Sequence, residues 1–205
     1  MTMDRQENFT NTLEKIRAAI NARDFEKFSE HVDSEKFLND GYGEVTEELA
    51  KNCSKFHELY PHDLFFKFGA TVLKFYNAKF KSVHLGFINR VIVAYFDKNL
   101  TQPENFLSAP IDFSACELRK FLSALTSEIK NISVGENNAL AEVEIFGDSS
   151  YYGKIFGRLN FKFEFVEVDG IWKLKAVKNI PELVPPILDM AERFWPGAWD
   201  LGIRI

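Results

Sequence analysis

Residues 166–179 read VEVDGIWKLKAVKN, and this stretch decides the fold. The Asp169-Gly170 pair is typical of a two-residue hairpin turn, because both central positions of that turn require a positive φ. After the turn, Trp172, Leu174 and Ala176 alternate with lysines, which is the two-residue period of a strand with one buried face. We therefore predict a hairpin whose tryptophan lies in the core and whose lysines point to solvent.

The residues before this hairpin extend the same pattern. Phe161, Phe163 and Phe165 alternate with polar residues, and the apolar phase then slips by one position at Val166. Such a slip is the sequence trace of a β-bulge, so the sheet is expected to bend there. Upstream, IKNISV, the turn-like GENN and the alternation over 139–145 predict another hairpin. Residues 127–179 are thus predicted to form a curved antiparallel sheet of about four strands, with Asn179 satisfying backbone groups at its end.

The part of the chain before the sheet, residues 8–126, has helical periodicity. A first helix is indicated by apolar residues from Phe9 to Ile20, and Asp24 is expected to cap a second. We expect a break at Gly41 and Gly43 and a long helix capped by Asp63.

Three further helices complete the expected helical set. The segment FINRVIVAYF fits either a helix or a buried strand, and we interpret it as helix. Ser114 and Glu117 have the spacing of a capping box for a helix through Thr126. Pro185 and Pro186 are expected to start a C-terminal helix over 185–195. The fold class is therefore α+β, with N-terminal helices packed on the curved sheet in a single domain of residues 1–205.

Composition excludes several classes of partner. The formal charge is −5 with basic residues scattered along the chain, so the basic footprint of a nucleic-acid binder is missing. No apolar run approaches the about 20 residues that span a bilayer, which predicts a cytoplasmic protein or a piece of a membrane-anchored parent. Two cysteines, Cys53 and Cys116, are expected to be reduced. The 21 phenylalanines indicate either a large core or an apolar cavity.

The sequence contains no convincing catalytic set. His57-Glu58 is followed by a histidine at position 62, one residue beyond the zinc-protease spacing and after a helix-breaking proline. His31 and Asp33 could form a catalytic base and its orienting carboxylate, and the loop at Asp63 could form a metal site. We expect structural roles instead, with the histidines as part of the fold and Asp63 as a helix cap. We therefore expect no catalytic residues, no metal and no cofactor. Tyr151 and Tyr152 are interpreted as entering a strand beside Asp148, with phenols that reach either a strand edge or a cavity.

The residues VEVDGIWKLKAV, placed after a set of helices and at the end of a curved sheet, resemble the NTF2-like (cystatin-like cone) superfamily. Separately, IRAAINARDFEKFSEHVD is similar to the opening of bacterial domains in the same broad group, which often follow a membrane anchor. The resemblance implies a cone-shaped sheet around a pocket. It also implies a range of functions, from ketosteroid isomerase-like, dehydratase and epoxide hydrolase enzymes to non-catalytic binding and dimerisation modules.

Our leading hypothesis is a non-catalytic domain that binds an apolar small molecule or a protein partner on its concave sheet, with homodimerisation as a further expectation. The predicted lining residues are Tyr151, Tyr152, Phe161, Phe163 and Phe165. Two alternatives stay open: a small lyase, isomerase or hydrolase with a pocket in the cone, and an interaction module associated with the cell envelope. A roomy pocket that holds an acid with a raised pKa would favour the enzyme.

Overall fold

The computed structural model describes residues 2–59 and 67–194, and it has an α+β architecture. The helices of the described residues are α1 (Thr2–Ala22), α2 (Phe25–Ser29), α3 (Ser34–Lys51), α4 (Cys53–Leu59), α5 (Gly69–Phe96), α6 (Pro110–Ser123), α7 (Tyr151–Phe156) and α8 (Ile180–Phe194). The strands are β1 (Leu125–Val134), β2 (Asn138–Gly147), β3 (Arg158–Val168) and β4 (Ile171–Val177). The predicted order of helices, sheet and final helix is confirmed.

The sheet is an antiparallel meander in the order β1-β2-β3-β4. Asp169 and Gly170 both have positive φ, 51° and 78°, as the predicted two-residue turn requires. Asn179 ends the sheet as expected: its side-chain oxygen accepts from the backbone N–H of Lys162 at 2.9 Å, and its amide donates to the carbonyl of Asn160 at 2.8 Å.

The bulge between β3 and β4 lies close to the predicted place but on the other strand. Phe165 pairs with Leu174 and Glu164 pairs with Ala176, so Lys175 is the additional residue. Because directly paired residues point to the same side of a sheet, Ala176 leaves the face that holds Leu174. The prediction that Ala176 shares a face with the tryptophan is therefore wrong, and Val177, opposite Phe163, takes the inner position.

The main core lies between α1 and the inner face of the sheet. Phe9 of α1 is 0% exposed and meets the rings of Phe165 and Trp172 edge-to-face at centroid distances of 5.1 and 5.3 Å. Trp172 is 1% exposed, which confirms the prediction that it is a core residue. The chain at His31 supports β4 from outside: its carbonyl accepts from the N–H of Leu174 at 2.8 Å, and its Nδ1–H donates to the carbonyl of Trp172 at 3.0 Å.

The expected break at Gly41 and Gly43 is wrong, because α3 continues through both glycines. Asp33 caps the helix by accepting from the N–H of Lys36 at 2.9 Å, and α3 packs against α5, α8 and β4. Glycine weakens a helix by only about 1 kcal/mol per residue, so these tertiary contacts outweigh the local preference for a break.

Two other helix boundaries differ from the prediction. The fixed φ of Pro110 starts α6 four residues before Ser114, which therefore lies inside the helix, and α6 ends at Ser123 instead of Thr126. Helix α8 starts at Ile180 and contains Pro185 and Pro186, because burial of its first turns offsets the two missing N–H donors. Asp63 and Trp195 lie outside the described residues. The segment FINRVIVAYF is confirmed as helix, since it forms the end of α5.

Candidate functional site: an apolar cavity with a tyrosine–histidine pair

A pocket was predicted at the inner face of the sheet. Side chains of α1 largely fill this face. A cavity of about 240 Å³ remains between α1 and the sheet, and Phe163, Phe165 and Leu174 line it. Phe161 stacks on Phe163 at a ring distance of 5.5 Å and packs into a second apolar cluster with Leu159. Phe165 is thus a core residue, Phe161 and Phe163 are half-buried against the core clusters, and the space beside them is small.

The two predicted tyrosines do not enter a strand. They begin the short helix α7, which Ser150 caps by accepting from the N–H of Gly153 at 3.2 Å and which ends at Gly157 with a φ of 67°. Tyr151 is exposed, whereas Tyr152 lines a separate cavity of about 550 Å³ between α5, α6, α7 and α8. The structure therefore keeps the three phenylalanines of β3 together, places Tyr152 at a different cavity and leaves Tyr151 exposed.

Tyr152 and Glu117 form a polar pair at the edge of that second cavity. The phenol donates to the carboxylate over 2.6 Å, and this bond raises the pKa of Tyr152 to about 12. Burial opposes the charge of Glu117, but hydrogen bonds from Lys120 and Tyr152 outweigh it and lower the pKa of the carboxyl. A carboxyl with a raised pKa would have favoured an enzyme, but the pKa of Glu117 is lowered. We therefore interpret the Tyr152–Glu117 pair as structural.

The pair gives a pH-dependent contribution to stability. A carboxyl with a lowered pKa stabilises the folded state above its ordinary pKa, and that contribution is lost as the pH falls through the lowered value. We expect Glu117→Gln to reduce the melting temperature by about 2–4 °C at pH 7, the effect of about 1 kcal/mol of hydrogen bonding. The difference from wild type should shrink as the pH falls below the ordinary carboxyl pKa and through the lowered one.

Thermal unfolding followed by circular dichroism between pH 3 and pH 7 measures this difference. Glu128→Gln is the matched control, because Glu128 pairs with Lys130 on the exposed side of the sheet and its loss should change little at any pH. A Glu117→Gln deficit that grows as the pH falls, which is the behaviour of a carboxyl with a raised pKa, would contradict the lowered pKa.

A further apolar space lies between α3, α5, α8 and the end of β4. This cavity has a volume of about 580 Å³. Its wall is mostly aliphatic and aromatic, with side chains that include Leu38, Val45, Leu85, Val177, Ile180 and Val184. Gly41 also lines it, and a Cβ built on Gly41 would meet no atom within 4 Å. The absence of a side chain at Gly41 therefore contributes directly to the open space.

Asp40, Glu44 and Thr46 also line the cavity, and a hydrogen-bonded pair adds further polarity to the wall. The phenol of Tyr42 lies 2.7 Å from Nδ1 of His84 and 3.1 Å from the carbonyl oxygen of Asn77. A carbonyl only accepts, so both bonds form at once when Tyr42 donates to Asn77 and Nδ1–H of His84 donates to Tyr42. In neutral His84 this leaves Nε2 as an acceptor. Burial, together with the neighbouring Tyr76, raises the pKa of Tyr42 and keeps the phenol protonated.

The local sequence explains why Tyr42 lies on the cavity face of α3. Leu38, Tyr42, Val45 and Leu49 follow one another at spacings of three or four along α3, which places them on one face of the helix. Tyr42 was not predicted as a site residue because it lies between Gly41 and Gly43, where a break was expected. The signal that finds it is the apolar spacing continued across both glycines.

The remaining candidates have structural environments. His31 is buried and bound to β4, Asp33 caps α3, and both cysteines are buried. Within residues 2–59 and 67–194, no group of three or more histidine, cysteine, aspartate or glutamate side chains is arranged to hold a metal. Position 62 and Asp63 lie outside those ranges. None of the described helices is both long and apolar enough to cross a bilayer.

Comparisons with known proteins give no relative. No family model matches the chain, and neither the curated proteins nor the solved structures contain a significant match.

Proposed function

We propose that this chain is a non-catalytic binding domain that holds an apolar small molecule with one polar group in the cavity between α3, α5, α8 and β4. The observation that carries the proposal is the combination of volume and lining: about 580 Å³ of mainly apolar wall with the Tyr42–His84 pair. Small-molecule sites typically have volumes of about 300–1,000 Å³, apolar walls and a few fixed polar groups.

The fold proposal accompanies it. We propose that the sheet and its helices are an NTF2-like arrangement, supported by the helices-then-meander order and the bulged final hairpin. The ligand space of this chain would then lie beside the last strand, because α1 occupies the concave face.

A hydrogen-bonded Tyr42–His84 pair is also the observation that favours the enzyme alternative, since a phenol and an imidazole can move a proton. Binding is the better supported function for two reasons. The raised pKa of Tyr42 makes the phenol a poor acid near neutral pH, and Asn77, the other bonded partner, offers only a backbone carbonyl.

The cavity can be filled without harming the helix that forms it. Gly41→Leu places a side chain where a Cβ meets no atom within 4 Å, and leucine is the better helix former. We expect this variant to bind the neutral fluorescent probe N-phenyl-1-naphthylamine at least about tenfold more weakly, which corresponds to about 1.4 kcal/mol. Fluorescence titration measures the affinity, and displacement by 1-octanol reports on ligands with a hydroxyl group.

Gly43→Leu is the matched control, because Gly43 is exposed on the same helix, has the same free space and does not line the cavity. It should bind the probe like wild type. Tyr42→Phe should retain probe binding and lose about fivefold in displacement by octanol, the effect of about one hydrogen bond. Equal probe affinity in wild type and Gly41→Leu would refute the cavity as the binding site.

A further inference from the structure

Two of the cavities described above share part of their wall. The cavity of about 580 Å³ beside β4 and the cavity of about 550 Å³ beside Tyr152 are both lined by Ile88 of α5 and Ile187 of α8. Other elements complete each wall, chiefly α3 and β4 around the first cavity and α6 and α7 around the second. The two spaces therefore meet at these two isoleucines.

Helices α5 and α8 line both cavities with the same face. The lining residues of successive turns are three or four positions apart on each helix: His84, Ile88 and Val91 on α5, and Leu183, Ile187 and Met190 on α8. Residues at these spacings lie one above the other on a helix. Both helices therefore run from the first cavity towards the second, side by side.

The two isoleucines at the junction are not packed like side chains that close a passage. Ile88 is 39% exposed and Ile187 is 45% exposed. A side chain that fills the space between two cavities is in contact with other atoms on all sides, as in a close-packed interior. The exposure of both isoleucines indicates open space beside each of them.

We propose that the two cavities form one channel and that its ligand is a long unbranched alcohol. The hydroxyl group lies at the Tyr42–His84 pair, and the alkyl chain passes between Ile88 and Ile187 into the second cavity. This inference rests on the proposed function, which it deepens by naming the ligand class. The wall of the second cavity suits an alkyl chain, because most of its side chains are apolar.

The polar end of the channel favours a hydroxyl group over a carboxylate. Neutral His84 offers Nε2 as an acceptor, so the ligand has to supply the donor. Asp40 and Glu44 also line the first cavity. Lys36 pairs with Asp40, and Glu44 then adds a negative charge that opposes an anionic ligand.

The dimensions of α5 set the length of the alkyl chain. From His84 to Ile92, the last residue of α5 that lines the second cavity, the helix rises about 12 Å. Each methylene of an extended chain advances about 1.25 Å, so about ten methylenes cover this distance. Ile88 lies half-way, about five methylenes from the hydroxyl group.

Displacement of N-phenyl-1-naphthylamine at pH 8 by the alcohols from 1-hexanol to 1-dodecanol tests the channel. In wild type, each added methylene should improve the affinity about fourfold up to at least ten carbons. In Ile88→Phe the larger side chain closes the junction. This gain should then stop near six carbons, and 1-dodecanol should bind at least about tenfold more weakly than in wild type. Affinities are expressed relative to 1-hexanol in the same protein, so that any change in probe binding cancels.

Val83→Phe is the matched control, because Val83 is on the same helix, is 62% exposed and lines neither cavity. It should give the wild-type series. A wild-type gain that stops near six carbons, or an Ile88→Phe series like that of wild type, overturns the proposal. Displacement by dodecanoate as strong as by 1-dodecanol overturns the assignment of an alcohol.

Failure of the channel and failure of the proposed function give different results. Equal probe affinity in wild type and Gly41→Leu refutes the function and the channel together. Weaker probe binding by Gly41→Leu, combined with a wild-type gain that stops near six carbons, refutes only the channel.

Met190, which is buried at the wall of the second cavity, allows a direct test of where the chain ends. In Met190→Cys, the introduced thiolate should displace bromide from the terminal carbon of 12-bromo-1-dodecanol: a C–S bond forms, the C–Br bond breaks and the thiol proton goes to solvent. Mass spectrometry should find this adduct, and none with 6-bromo-1-hexanol. Wild type is the control, since Cys53 and Cys116 are buried and line neither cavity. A folded Met190→Cys variant that the longer reagent leaves unlabelled overturns the proposal.

Discussion

Replacing Trp172 by alanine should cost about 4 kcal/mol of folding free energy, the largest loss expected from a single core side chain in this protein. The indole is almost completely enclosed and contacts Phe9 of α1, so its removal leaves a cavity between α1 and the sheet. The surrounding strands are held by their hydrogen-bond ladders and cannot close that space. Both the lost transfer energy and the cavity therefore contribute.

Urea unfolding followed by far-ultraviolet circular dichroism measures this loss, because the signal does not depend on the deleted fluorophore. Leu107→Ala is the control: a side chain that is 89% exposed should change stability by less than about 0.5 kcal/mol. A Trp172→Ala loss below about 2 kcal/mol would mean that α1 is not packed on the sheet as described.

The second large effect is expected at Gly153. This residue lies in α7, where the chain passes so close to the start of the β2–β3 connection that a Cβ on Gly153 would overlap backbone atoms of Asp148. A Cβ on Gly147 would likewise overlap the carbonyl group of Gly153. Because backbone cannot rotate out of the way like a side chain, Gly153→Ala should destabilise the protein by about 3 kcal/mol or more.

The same urea experiment tests this expectation, with Gly43→Ala as the matched control. Gly43 is in a helix and exposed, and a Cβ there meets no atom within 4 Å. Its replacement should stabilise the protein by about 0.5–1 kcal/mol. Opposite signs for the two glycine replacements are the expected outcome, and a neutral Gly153→Ala would contradict the close approach of the two backbone segments.

The sheet could be predicted from the sequence because its determinants are local. The Asp169-Gly170 turn and the alternation around Trp172 involve neighbours along the chain, and both are found as predicted. The bulge was placed within two residues, but the phase of β3 alone does not reveal which strand carries the additional residue. Pairing with Lys175 in β4 decides that, and pairing is a non-local property.

The helical errors have a common physical cause. Local preference favoured a break at Gly41 and a helix start at Pro185, whereas packing of the same segments against other elements sustains the helix in both cases. Helix α7 is different, since its signals were present: Ser150 as a cap and Gly157 as a terminator six residues after Tyr151. They were overlooked because the tyrosines themselves favour strands.

The candidate site was the least predictable part. Its walls come from α3 and α5 in the first half of the chain and from β4 and α8 near its end. Aromatic content indicated either a core or a cavity, and the face of the sheet under α1 holds the core. The cavity depends on how the helices stack beside the last strand, and Tyr42 meets His84 only through that stacking.

The additional residue in β4 has a consequence for how this chain can change over evolutionary time. Before Lys175, the strand supplies Trp172 and Leu174 to the core under α1; after it, Ala176 and Val177 line the cavity beside α8. The two compartments share one strand, and Lys175 sets the offset between them. The exposed side chain of Lys175 can be replaced by other polar types. The number of residues between Leu174 and Ala176 cannot change, because both compartments depend on the same offset. We therefore expect the number of residues in β4 to be conserved more strongly than the residue type at position 175.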